Sequence, residues 1–156
     1  MDDELAKTSL IYRPLEVIKK KFKAQPIICS KTRDVVAAEI LYKYNTSLLD
    51  NDAFLEIDRS AIEASAMLLD YYRWIKRKPI RVHCNVELSS FTNPSWMEVM
   101  VVHVTQGVVV EIVERHDHIN DKIQFEKMVC VADWVRALGG QIALDDVSGT
   151  KMDEAV

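Results

Sequence analysis

The sequence predicts an α/β fold built on a mostly parallel sheet, and three observations carry this. From residue 35 onward, short β-branched apolar runs alternate with longer segments of helical period. The stretches between those runs are of crossover length, which implies parallel pairing with right-handed connections. Near the C-terminus, Gln141-Ile142-Ala143-Leu144-Asp145-Asp146 reads as a short buried strand ending in two adjacent carboxylates. Other apolar runs stop at, or carry near their ends, an oxygen-bearing residue: Glu39, Asn85 and Glu111.

At 156 residues one domain with a sizeable core is expected. A hydrophobic content of 49% with 28% charged residues is ordinary for a soluble globular chain. The net charge of −4 and pI near 5.6 argue against DNA or general nucleic-acid binding. Cys29, Cys84 and Cys130 have no paired spacing, and each sits in an apolar run. Inert buried thiols in a reducing compartment are therefore expected. The acidic Met1-Asp2-Asp3-Glu4 start has no apolar stretch behind it, and no run has membrane-spanning length. The expected location is the cytoplasm.

In order, Glu4 to Lys21 is expected to be helical with a break near Pro14, ending in Lys19-Lys20-Lys21. Those cations suit a solvated helix end better than an anion or membrane contact. Phe22 to Ser30 is β-like, and Pro26 assigns it to an edge or a strand start because proline cannot donate to the ladder. The polar turn Lys31-Thr32-Arg33-Asp34 returns the chain into a second strand, Val35 to Tyr44. There Glu39, Leu41 and Lys43 alternate and share one face. Either the acid and the cation face a common ligand, or they are an exposed ion pair.

A long helix follows, capped by Asp50, Asn51 or Asp52. Phe54, Ile57, Ala61, Ala64, Leu68, Tyr71 and Ile75 form its apolar stripe, and Lys76-Arg77-Lys78-Pro79 ends it. Ile80 to Asn85 is the third strand. Asn93-Pro94 opens a further helix, with asparagine as cap and proline in the first turn, closed by Gln106-Gly107. Val108 to Glu114 is a strand interrupted by Glu111. Asn120-Asp121 caps a last helix whose buried face is Phe125, Met128, Ala132 and Val135, and Gly139-Gly140 ends it in a left-handed cap.

Parallel α/β sheets keep their chemistry at the carboxyl ends of the strands. Here those ends supply Glu39, Asn85, Glu111, Asp145 and Asp146. Each close pair of carboxylates costs on the order of 4 kcal/mol at ~4 Å and an effective dielectric near 20, so protons or metal ions must relieve them. An all-oxygen set favours magnesium, manganese or calcium over zinc. The competing reading, in which each acid is separately solvated or paired with lysine, suits any one of them better than all five.

These residues resemble the EAL-domain family, bacterial phosphodiesterases that open cyclic di-GMP. Gln25-Pro26-Ile27 resembles the family's YQPI strand. Glu39-Ile40-Leu41 stands where the EAL signature stands, with Lys43 in place of the arginine of E-x-L-x-R. Asn85-Val86-Glu87, running on to Asn93-Pro94, is similar to the N-L-S segment and its downstream D-P. Glu111-Ile112-Val113-Glu114 resembles E-I-T-E, and Leu138-Gly139 with Ile142-Ala143-Leu144-Asp145-Asp146 resembles L-G…I-A-L-D-D-F-G. The likeness runs from about Phe22 to Gly149.

The resemblance implies an incomplete TIM-like (β/α) barrel of EAL type, with about five strands alternating with helices. It divides the chain into an N-terminal helical segment, 1–21, a partial EAL domain, 22–150, and a tail, 151–156. It implies metal-assisted attack of water on a phosphodiester. Glu39, Asn85, Glu111 and Asp145 would hold one Mg2+ or Mn2+, with Ca2+ as alternative or inhibitor, and Asp146 would reach a second ion. Lys43 would contact a substrate phosphate without arginine's bidentate fork.

Complete barrels need ≈ 250 residues. The family's later catalytic lysine, glutamate and glutamine have no counterpart in this sequence, and Val147-Ser148-Gly149-Thr150 departs from F-G-T-G. Lys151 lies too close to Asp146 for a parallel crossover and reads as tail. The expectation is therefore a signalling protein that binds cation, cyclic di-GMP or a protein partner with little or no turnover. Self-association or a partner would cover its strand edges. An active phosphodiesterase, completed by a second chain, and a scaffold without nucleotide are the alternatives.

His116-Asp117-His118 fits a solvated loop better than a metal site. His83 and Cys84 face opposite ways and make no nucleophile–base pair. Trp74, Trp96 and Trp134 suit helix packing better than base stacking.

Overall fold

The computed structural model describes residues 19–103, 107–113 and 122–144. A five-stranded sheet in the order β1-β2-β3-β4-β5 forms its centre and does not close into a barrel. Strand β1 (Phe22–Ile28) pairs antiparallel with β2 (Val35–Tyr42). Helix α1 (Asn51–Trp74) leads to β3 (Arg81–Glu87), followed by α2 (Leu88–Phe91) and α3 (Pro94–His103). Then come β4 (Val108–Val113), α4 (Lys122–Ala137) and β5 (Gln141–Leu144). From β2 onward every pairing is parallel. This is an α/β fold of incomplete-barrel type.

The period of two along the strands divides the sheet into two unlike faces. Ala38, Ile40, Val82, Cys84, Val86, Val108, Val110 and Ile112 point to one face and are buried. Against them lies α1, with Ala61, Ile62, Ala64, Ser65, Leu68 and Leu69 inward. Each fully buried valine, leucine or isoleucine contributes roughly 1.5–3 kcal/mol, so this seam supplies most of the core. Small residues at Ala61, Ala64 and Ser65 let the helix approach the strands. Gly107 serves the same end, since a Cβ there would sit 2.7 Å from Leu69 Cδ1. The other face of the sheet carries Glu39, His83, Asn85 and Glu111.

Local signals act where the chemistry requires them. Asp50 caps α1, its Oδ1 accepting from Ala53 N at 2.8 Å. Asn93 Oδ1 accepts from Ser95 N at 2.8 Å at the start of α3. Gly139, at φ 92°, ends α4, with Gly140 N donating to Val135 O. Pro26 lies on the edge strand, where the missing donor is tolerated.

Several expectations need correction. Lys19–Lys21 form a turn, and Lys21 O accepts from Lys43 N, which extends the β1–β2 pairing. Strand β3 runs on to Glu87 and into the one-turn helix α2, whose Leu88 and Phe91 are buried. Of the three cysteines only Cys84 is buried; Cys29 is intermediate and Cys130 lies on the outer side of α4. Trp96 packs fully, donating Nε1 to Asp58 O at 3.3 Å, whereas Trp74 and Trp134 are exposed. The expected cap at Asn120-Asp121, the 116–118 segment and residues 1–18 lie outside the described residues.

Candidate metal centre on the polar face of the sheet

The polar residues come together through register. Glu39 on β2 is level with His83 on β3, and Asn85 on β3 is level with Glu111 on β4. All four have the parity that points away from α1. Each contact rises by one side-chain step on crossing to the next strand. Asn85 Nδ2 donates to Glu39 Oε1 at 3.0 Å and to Ile40 O at 3.2 Å. His83 Nδ1 donates to Glu111 Oε1 at 2.5 Å, a charge-assisted bond between half-buried side chains. The three oxygen-bearing residues occupy the carboxyl halves of their strands, short of the last residue.

The Asn85 amide is the most telling group. Both partners of its Nδ2 can only accept, so the orientation of the amide is determined by its neighbours. Among the described residues its Oδ1 is buried without a hydrogen-bond partner. An unpaired buried acceptor costs roughly 1–3 kcal/mol, and a bound cation would satisfy it. Glu39 and Glu111 stand on the strands either side. The donor chemistry therefore fits a hard divalent cation. Among the described residues no three His, Cys, Asp or Glu side chains cluster closely enough to hold a metal by themselves. Asp145 and Asp146 follow directly on β5 and lie outside the described residues.

Lys43 is placed differently. It is exposed just beyond β2, and its Nζ donates to Lys19 O. The ammonium lies against that backbone carbonyl. A cavity of about 220 Å³ opens beside Asn85, bounded among the described residues by Leu41, Tyr44, Asp58, Glu87 and Val113. Small-molecule sites usually span 300–1,000 Å³, so this cavity takes one group of a larger ligand, the remainder of which would lie outside it. Two buried acids flank it. Asp58 Oδ2 accepts from Glu87 N at 3.0 Å and ties α1 to the end of β3.

Cys84 is on the helix side, away from His83. Burial pushes its thiol up to about 12, opposed by the Ser65 hydrogen bond and aided by the charges of Asp58 and Glu111. It is no nucleophile at neutral pH. His83 is the residue that sequence reasoning missed. Its position two residues before Asn85 places it on the same face of β3.

No protein-family model matches the sequence, and a search of curated proteins finds no match. Solved structures do share the fold. The EAL enzyme Bd1971, in its form with cAMP and cyclic-di-GMP bound, superposes with a TM-score of 0.58 at 18% identity, over 96% of this chain and 47% of that one. The PaMucR phosphodiesterase in complex with c-di-GMP gives 0.63 at 12% identity, over 83% of this chain and 60% of that one. Klebsiella pneumoniae BlrP1 in a calcium/cy-diGMP complex gives 0.58 at 18% identity, over 83% of this chain and 35% of that one. This chain spans less than two thirds of each. At these identities the likeness establishes the fold, an EAL-type α/β barrel represented in part. No helix among the described residues is long and apolar enough to cross a membrane.

Proposed function

We propose that this chain is an EAL-type module of cyclic di-GMP signalling that binds a divalent cation and the dinucleotide, or a protein partner, with little or no hydrolysis. The observation that carries this is the Asn85 amide, anchored to Glu39 with its oxygen unsatisfied. Glu39, Asn85 and Glu111 would hold Mg2+ or Mn2+, joined by Asp145, with Asp146 directed to a second ion. A bound cation there supplies charge neutralisation for a phosphodiester. The chain's own contribution is positional: Asn85 aligns Glu39 by donation, and His83 aligns Glu111. That structures of this fold hold calcium or manganese with cy-diGMP supports the choice of ion class.

Low turnover is supported by the residue at position 43. Lys43 offers a point charge where the resembled family has arginine, and its ammonium is already held by Lys19 O. Calorimetry with cyclic di-GMP, with and without Mg2+ or Mn2+, coupled to product analysis, tests the reading. Cation-dependent binding without product is expected. Steady release of the linear dinucleotide would make the chain an enzyme, and absence of dinucleotide binding would make it a protein-binding scaffold.

A further inference from the structure

We infer that the outer edge of β1 docks an extended acidic–apolar segment of a partner protein, which adds as a further strand and seats one large apolar side chain beside α1. The inference deepens the protein-partner arm of the reading above. It makes no use of the cation face, so either can fail without the other.

The backbone of this edge is open. Strand β1 is terminal in the sheet, and among the described residues no strand pairs with its outer side. Lys21 O accepts from Lys43 N at 2.9 Å, and positions 21 and 43 stand opposite in the β1–β2 register. Alternation then turns the backbone groups of Lys23 and Gln25 toward β2 and those of Phe22 and Ala24 outward. Pro26, next in the outward series, offers a carbonyl and no N–H. The pairing stretch is therefore Phe22 to Pro26.

Beside that stretch, on the α1 side of the sheet, lies a pocket of about 250 Å³. The buried Ile40, Ala64 and Leu68 floor it, and the exposed Ala24 and half-buried Tyr71 bound it. A pocket of this size takes one group of a larger ligand. A strand added to β1 presents every second side chain to this face, so the residue opposite Ala24 enters the pocket. Main-chain bonds then hold the segment, and the pocket selects a bulky apolar residue.

Charge selects the rest. Lys23 and Lys76 also line the pocket, and Lys76 Nζ lies 5.9 Å from the centroid of the Tyr71 ring. Among the described residues neither lysine has an acidic partner. In a chain of net charge −4 this rim has the opposite sign to the whole, so it attracts an acidic segment and repels a basic one. Lysine and proline also serve to protect a plain edge from strand addition. A protected edge would bind no segment, and the experiment separates the two roles.

The probe is the acetylated, amidated peptide Asp-Val-Glu-Phe-Glu-Val-Asp, followed on the full chain by fluorescence anisotropy and amide hydrogen exchange. Saturable binding is expected, with the Phe22 and Ala24 amides exchanging fast in the free chain and slowly in the complex. N-methylation of the peptide on one alternate set of amides should weaken binding about tenfold or more, and on the other set should not. Ala24→Phe changes an exposed residue, fills the pocket, and should weaken binding about tenfold or more. Lys23→Glu with Lys76→Glu should weaken the acidic peptide to a similar degree and strengthen Lys-Val-Lys-Phe-Lys-Val-Lys. Absence of saturable binding would overturn the inference. So would indifference to which amide set is methylated, to Ala24→Phe or to the charge reversal. Phe22 and Ala24 amides already protected in the free chain would overturn it too. A second copy would then hold the edge if the chain sediments as a dimer, and the chain itself if it sediments as a monomer. Calorimetry with Mn2+ on the same samples reads the cation face separately, and its failure would leave the edge result standing.

Discussion

Asn85→Asp is the sharpest single perturbation of the polar face. It is nearly isosteric, yet it deletes the donor that satisfies Glu39 Oε1 at 3.0 Å and Ile40 O at 3.2 Å. It also sets a second carboxylate against Glu39. Two unit charges at ~4 Å repel by about 4 kcal/mol at an effective dielectric near 20. Glu39 is only half-buried, so solvent screening reduces this, and a net loss of about 3 kcal/mol is expected in the absence of metal. For a chain of this size that corresponds to a fall in Tm of ~6–12 °C.

Protonation of either carboxylate relieves the repulsion, so the deficit should be smaller at pH 5 than at pH 7. Saturating Mg2+ or Mn2+ should recover much of the loss, because an ion at a hundred times its Kd stabilises by about 2.7 kcal/mol. The assay is thermal melting of wild type and variant at pH 7 and pH 5, with and without metal. A variant that melts with wild type in the absence of metal would mean Glu39 and Asn85 are not in contact. A deficit identical with and without metal would mean that no cation occupies the face.

Two further outcomes probe the opposite side of the sheet. Gly107→Ala should destabilise by about 1–3 kcal/mol in urea unfolding, since its Cβ would stand 2.7 Å from Leu69 Cδ1. Leu69→Ala in the same chain should remove that added penalty, and simple additivity of the two losses would refute the close approach. Native thiol titration at pH 8 should modify Cys29 and Cys130 and spare Cys84 until the chain unfolds, because Cys84 is fully buried with its pKa pushed up to about 12. Its folded pKa lies above the ordinary thiol value of about 9.0, so this thiol's contribution to stability is complete below about pH 9 and is lost as pH rises toward 12. A Cys84→Ala chain with the same alkaline slope as wild type would count against that assignment.

Much of the architecture was legible residue by residue. The step of three and four from Phe54 to Leu68 marks the buried side of α1, and Asp50 marks its start. Gly139 marks the end of α4 because only a residue tolerant of positive φ suits that turn. What was not legible is whatever depends on a neighbour distant in the chain. Lys19–Lys21 carry a helix-end composition, and their backbone pairs with the end of β2 all the same. Cys130 sits in an apolar run and still faces outward, because α4 buries Met128, Val131, Ala132 and Val135 and position 130 falls on the other side.

The site divides in the same way. Strand parity, a property of the backbone alone, determines from sequence that Glu39, Asn85 and Glu111 each leave their strand on a definite side. Whether those sides meet is a matter of register between strands, and register depends on how α1 and the loops seat each strand against the next. Only the assembled sheet puts the Asn85 amide against Glu39, directs Lys43 to the Lys19 carbonyl and gives Glu111 to His83. Local chemistry chooses the residues, and cross-strand geometry chooses their partners.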